Sequence, residues 1–206
     1  MKSDSGVRAH LVCPPAVNTA LIDQTIATDT PASIIEARKT GRLADPEKIV
    51  DAIEKGAGRP LVLLHGWSMN LRVFDALVAQ LESHFELIAV DLPGHGRSAG
   101  AALPADIDAL AAALQPCVPP EAIVLGWSLG GMAALALADT AAAASRNAIA
   151  SRALSRLVIV ASSPCFVARA EWPHGMAPAV LDGFAARLRA EPHATVHDFL
   201  ELQLRG

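Results

Sequence analysis

The sequence predicts an α/β fold: a mostly parallel sheet with helices on both faces, followed by a helical segment. Three observations predict it. Short aliphatic runs recur at residues 61–64, 87–90, 122–125 and 157–161, and stretches of helical apolar spacing lie between them. A Gly-x-Ser-x-Gly turn, Gly126-Trp127-Ser128-Leu129-Gly130, then joins the third run to an alanine-rich stretch. Strands that alternate with helices at this spacing pair in parallel, because each helix carries the chain back across a sheet face.

Residues 1–57 mix Pro14, Pro15, Pro31 and Pro46 with scattered charges and show weak periodicity, so they read as a poorly structured N-terminal extension. Within them Ser33 would cap a short helix over 34–37, and 49–53 would form a helical turn or a strand. Regularity begins at Leu61. After the first strand, Val73, Phe74, Leu77, Val78 and Leu81 share one helical face, and the 87–90 strand follows. A polar turn over 91–98 leads to a helix near 105–114, and Pro119 and Pro120 precede the strand that ends in the serine turn. The alanine-rich helix and the 157–161 strand complete the core, assigned to 58–163.

Beyond Ser163 the alternation stops. Leu181, Phe184 and Leu188 fall on one helical face, as do Val196, Phe199, Leu200 and Gln203, with Pro192 between them. Two successive amphipathic helices after a sheet strand read as a lid over 164–206.

Composition narrows the function classes. A chain of 206 residues that is 52% hydrophobic and 18% charged carries enough apolar side chains for a buried core. Its formal charge of −4 gives no sign of a nucleic-acid surface. Cys13, Cys117 and Cys165 form no metal or redox spacing and suit reduced thiols in a cytoplasm. Residues 1–16 lack the apolar run of a secretory signal, and 133–144 is too short to cross a bilayer, so a cytoplasmic protein away from the membrane is expected.

The chemistry lies in the serine turn. A strand that turns abruptly into a helix forces the serine into a strained backbone and leaves no room for side chains two residues to either side, hence Gly126 and Gly130. Such a turn presents Ser128 as a nucleophile and aims the Leu129 amide at a tetrahedral oxyanion, near the positive end of a helix. His65-Gly66-Trp67-Ser68-Met69-Asn70 forms the loop after the first strand, and on its own His65-Gly66 reads as a strand-ending turn. Asp91 precedes the nucleophile and reads as a turn residue of the Asp91-Leu92-Pro93-Gly94-His95-Gly96-Arg97-Ser98 loop, not as a catalytic acid.

With these residues the chain resembles the α/β-hydrolase superfamily. Within it, the run Ala161-Ser162-Ser163-Pro164-Cys165-Phe166 with Glu171-Trp172-Pro173 resembles the family of esterases that cleave pimeloyl-acyl-carrier-protein methyl ester in biotin synthesis. The likeness extends from about residue 58 to residue 206, with an apparent insertion at 141–151. It implies a serine carboxylesterase in which Ser128 attacks the ester and the amides of Trp67 and Leu129 hold the oxyanion. It further implies that the lid residues Phe199, Leu200, Glu201, Leu202 and Gln203 line the acyl channel. The implied partner is an acyl-carrier protein bearing a pimeloyl methyl ester, met by a monomer, with Arg169, Arg187, Arg189 and Arg205 available to its acidic surface. No metal or organic cofactor is implied.

A serine nucleophile needs a histidine base and an orienting carboxylate, which follow it in this fold. After Ser128 the histidines are His174, His193 and His197, all in the lid stretch. Such domains run to about 250 residues. The chain is therefore expected to lack the acid and base, to carry an incomplete sheet, and by itself to hydrolyse simple esters barely or not at all. Two other readings remain open: a different esterase, lipase or perhydrolase of the superfamily, and a non-catalytic acyl-binding protein of the same fold.

Overall fold

The computed structural model describes residues 8–12, 58–146 and 154–204, with side chains placed for 58–141 and 154–202. These residues fall into two compact units, one made of 8–12 with 58–163 and the other of 164–204.

In the first unit, five strands run β1 (Arg8–Val12), β2 (Pro60–Leu64), β3 (Glu86–Val90), β4 (Ile123–Trp127) and β5 (Arg156–Val160). They form one sheet in the order β1-β5-β4-β2-β3, and every neighbouring pair is parallel. Helices α1 (Asp75–Leu81), α2 (Ile107–Leu114) and α3 (Leu129–Arg146) lie between β2 and β3, β3 and β4, and β4 and β5.

The aliphatic runs are explained by burial on both faces. Leu61 and Leu63 point to the side where Phe74, Leu81 and Phe85 pack, together with Ile123, Leu125 and Val158. Val62 and Leu64 point the opposite way, against Leu110 and Leu114 of α2 and Ala133, Ala134 and Leu137 of α3. The alanines let α3 lie close to the sheet. Asp106 caps α2 by accepting the Ala109 amide at 2.8 Å.

Two features differ from the sequence pattern. First, residues 8–12 form a strand that the sequence does not mark, β1, which pairs with β5 in the register Arg8↔Arg156 to Val12↔Val160. An edge strand is held by backbone hydrogen bonds along one side, so it needs no continuous apolar run and leaves little trace in composition. Second, Val73 does not join the buried helical face. It lies in a 3₁₀ turn, Leu71–Phe74, whose tighter winding leaves it 44% exposed while Phe74 is buried. The proposed helix at 34–37 and the helical turn or strand at 49–53 lie outside the described residues, as do residues 147–151 of the 141–151 insertion, whose first part continues α3 to Arg146.

The second unit is an αα pair. Helix α4 (Pro178–Ala190) begins with proline at its first turn, and α5 (Pro192–Leu204) follows after Glu191. Phe184 and Phe199 meet edge to face with centroids 6.1 Å apart. Arg187 pairs with Asp198, and its hydrogen bond holds the Asp198 carboxyl below the usual carboxylate range. No helix among the described residues is long and apolar enough to cross a membrane.

Candidate active site

Ser128 stands between the last residue of β4 and the first of α3, with φ at 54°. That left-handed conformation strains a residue with a Cβ by about 1–3 kcal/mol and persists only when its surroundings fix it. Here they do. The Ser128 amide donates to the Val160 carbonyl at 2.9 Å, and its carbonyl accepts from the amides of Gly131 at 2.9 Å and Met132 at 3.2 Å. The Ser162 hydroxyl adds a fourth bond, donating to the same carbonyl at 2.7 Å.

The two glycines of the turn are required by close approach. A Cβ on Gly126 would run into the Gly130 carbonyl, and one on Gly130 into the Leu64 carbonyl, both backbone atoms that cannot swing away. The elbow therefore seats directly on the end of β2.

Because β2 and β4 are parallel neighbours with Leu64 opposite Gly126, the loops that leave them emerge side by side. The β2 loop carries Gly66, where a Cβ would lie 3.2 Å from the Ser128 Cβ, and then Trp67. Trp67, Ser128 and Leu129 are thus brought together at the carboxyl ends of adjacent strands, where open parallel sheets place their ligands.

A hydrogen-bond network that sequence reasoning missed holds this loop. His65 is fully buried, its Nδ1 lies 2.8 Å from the Gly66 carbonyl, and its Nε2 accepts the Leu92 amide at 3.0 Å. His95 repeats the pattern, with Nδ1 at 3.0 Å from the Pro93 carbonyl and Nε2 accepting the Ser68 amide at 3.2 Å. A carbonyl only accepts, so each ring carries its proton on Nδ1 and is neutral. Burial pushes the His65 pKa down, reinforced by His95, and the Gly66 hydrogen bond and Asp91 oppose it without reversing it. Both nitrogens of both rings are occupied, so neither histidine is the base for Ser128.

Asp91 is the structural residue the sequence suggests. Its carboxylate accepts the Leu71 amide at 2.8 Å and the Arg97 amide at 2.9 Å, with Arg97 Nε at 3.3 Å. Burial pushes this carboxyl up, and the Leu71 and Arg97 hydrogen bonds outweigh it, leaving the pKa below the usual carboxylate value.

A cavity of about 280 Å³ opens beside the elbow, lined by Leu92, Leu103, Ile107, Leu110, Leu129 and Met132 among others. Leu129, the residue after the nucleophile, is thus also part of the cavity wall. Phe199, Leu200, Glu201 and Leu202 lie along α5 in the second unit and are half-buried, whereas the side chain of Gln203 lies outside the described residues. Arg169, Arg187 and Arg189 are exposed, Arg187 is engaged by Asp198, and Arg205 lies outside the described residues.

The chain is similar to known proteins. The family model described as "Alpha/beta hydrolase family" matches residues 61–204. The chain is 45% identical over 146 residues to the pimeloyl-[acyl-carrier protein] methyl ester esterase of Klebsiella pneumoniae subsp. pneumoniae, covering 71% of this chain and 52% of that one. To the esterase of the same name from Pectobacterium atrosepticum it is 42% identical over 153 residues, covering 74% and 56%. The chain spans about half the length of the curated relatives it matches. Among solved structures, an esterase from Exiguobacterium antarcticum superposes with a TM-score of 0.57 at 27% identity, over 70% of this chain and 53% of that one. With a family match across most of its length and a serine elbow built on a parallel sheet, the chain belongs to the alpha/beta hydrolase family.

Proposed function

We propose that the protein is a serine carboxylic ester hydrolase whose nucleophile is Ser128 and whose substrate is the methyl ester of a pimeloyl group on an acyl-carrier protein. The observation that carries the chemistry is the strained Ser128 backbone, φ 54°, fixed between β4 and α3 with the Trp67 loop against it. The substrate rests on the named relatives, at 42–45% identity.

In this reading the Ser128 Oγ bonds to the ester carbonyl carbon while its proton passes to an imidazole other than His65 and His95. The carbonyl oxygen takes negative charge between the amides of Trp67 and Leu129. The tetrahedral carbon collapses and expels methanol, which takes the proton, and water then cleaves the acyl-serine to free the carboxylate and Ser128. Helices α4 and α5 act as the lid, and Phe199 to Gln203 line the acyl channel. Because Phe199 also packs on Phe184, its place in the channel depends on the αα pair staying intact.

The test uses the full-length gene product. Hydrolysis of pimeloyl-carrier methyl ester at a higher kcat/KM than p-nitrophenyl acetate, abolished by Ser128→Ala, supports the reading. Preference for the small ester would assign a general esterase, and tight carrier binding without turnover a non-catalytic acyl-binding protein.

A further inference from the structure

We propose that the Ser68 hydroxyl donates a hydrogen bond to an oxygen of the ester that Ser128 attacks. The proposal rests on the serine-esterase reading above and adds a substrate contact to it.

Two features converge on Ser68. Its Oγ is buried and has no hydrogen-bond partner among the described residues. A hydroxyl taken from water and left unpaired is destabilising, and such groups are uncommon enough in folded proteins to require a reason. Its backbone is also left-handed, with φ at 62°, a conformation that glycine adopts freely and serine does not. Glycine at this position would avoid both penalties.

The loop around Ser68 is not slack. The Ser68 amide donates to His95 Nε2 at 3.2 Å, the Met69 amide to the Gly66 carbonyl at 3.2 Å, and the Leu71 amide to Asp91 at 2.8 Å. These bonds fix the backbone on both sides of the hydroxyl. The residue follows Trp67 directly and stands two positions after Gly66, which lies against the Ser128 side chain. A desolvated, unpaired donor on a held backbone, in the loop flanking a nucleophile, can meet an acceptor that arrives with substrate. The ester brings two oxygens, and its carbonyl oxygen gains charge as Ser128 adds. Strain and an unmet hydrogen bond together in one residue are features that cluster at functional sites.

The experiment compares Ser68→Gly, Ser68→Ala and Ser128→Ala in the full-length gene product, measuring steady-state ester hydrolysis and thermal melting. Ser68→Gly is expected to raise Tm by about 2–4 °C while kcat/KM falls about tenfold or more. Ser68→Ala is expected to share the loss of activity with a smaller rise in Tm. Unchanged turnover in Ser68→Gly, or a joint fall in turnover and Tm, overturns the proposal. Turnover that survives Ser128→Ala overturns the esterase reading and this contact with it. A dead Ser128→Ala beside an unimpaired Ser68→Gly overturns the contact alone.

Discussion

The side-chain hydroxyl of Ser162 donates to the backbone carbonyl of Ser128 at 2.7 Å, across 34 residues of sequence. Ser162 lies two residues past the end of β5, just after Ala161, which is itself left-handed at φ 45°. The end of β5 thus holds both polar backbone groups of Ser128, the amide through Val160 and the carbonyl through Ser162. The neighbouring strand braces the strained residue.

Ser162→Ala should therefore loosen the elbow without touching substrate. We expect a stability loss of about 1 kcal/mol in urea denaturation. We also expect kcat to fall about tenfold with KM little changed, because the nucleophile is displaced and the binding surface is not. Equal kinetics in the variant and the parent would show that the Val160 carbonyl and α3 fix Ser128 without Ser162.

Two glycine substitutions should move stability in opposite directions. Gly130→Ala drives a methyl into the Leu64 carbonyl and should destabilise by about 3 kcal/mol. Gly183 sits inside α4, where an added Cβ would meet nothing within 4 Å, so Gly183→Ala should stabilise by about 1 kcal/mol through helix propensity. Chemical denaturation of the two variants checks both signs, and a tolerated Gly130→Ala would refute the close seating of the elbow on β2.

Acid should weaken the fold through His65. Its folded pKa is depressed below 6.5, so the unfolded chain binds the proton more readily than the folded one. The stabilisation from neutral His65 is full above pH 6.5 and is lost as pH falls from there through the folded pKa. Nitrogen-15 spectra should show the His65 proton on Nδ1 at neutral pH and a titration midpoint below 6.5. A midpoint above that value, or the proton on Nε2, would contradict the bond to the Leu92 amide.

Much of the core was legible because its signals are local. Aliphatic runs such as 61–64 and 122–125 mark strands buried on both faces, and Gly126 and Gly130 mark the one turn that needs them. The strand Arg8–Val12 was not legible: paired along one edge, it is specified by its neighbour's backbone more than by its own apolar pattern. Val73 fits a 3.6-residue period and is displaced from it only by the 3₁₀ turn. The roles of Ser162, His65 and His95 depend on contacts spanning 27 to 34 residues, for which no spacing rule exists. Ser162 did fall within the run that pointed to the esterases, although that likeness said nothing of its hydrogen bond.

The most direct test of the central claim is to treat the full-length gene product with a fluorophosphonate and locate the adduct by peptide mass mapping. The account predicts a single stoichiometric phosphonyl adduct on Ser128, absent from Ser128→Ala. Labelling at another serine, or an adduct yield unaffected by Ser128→Ala, would contradict it.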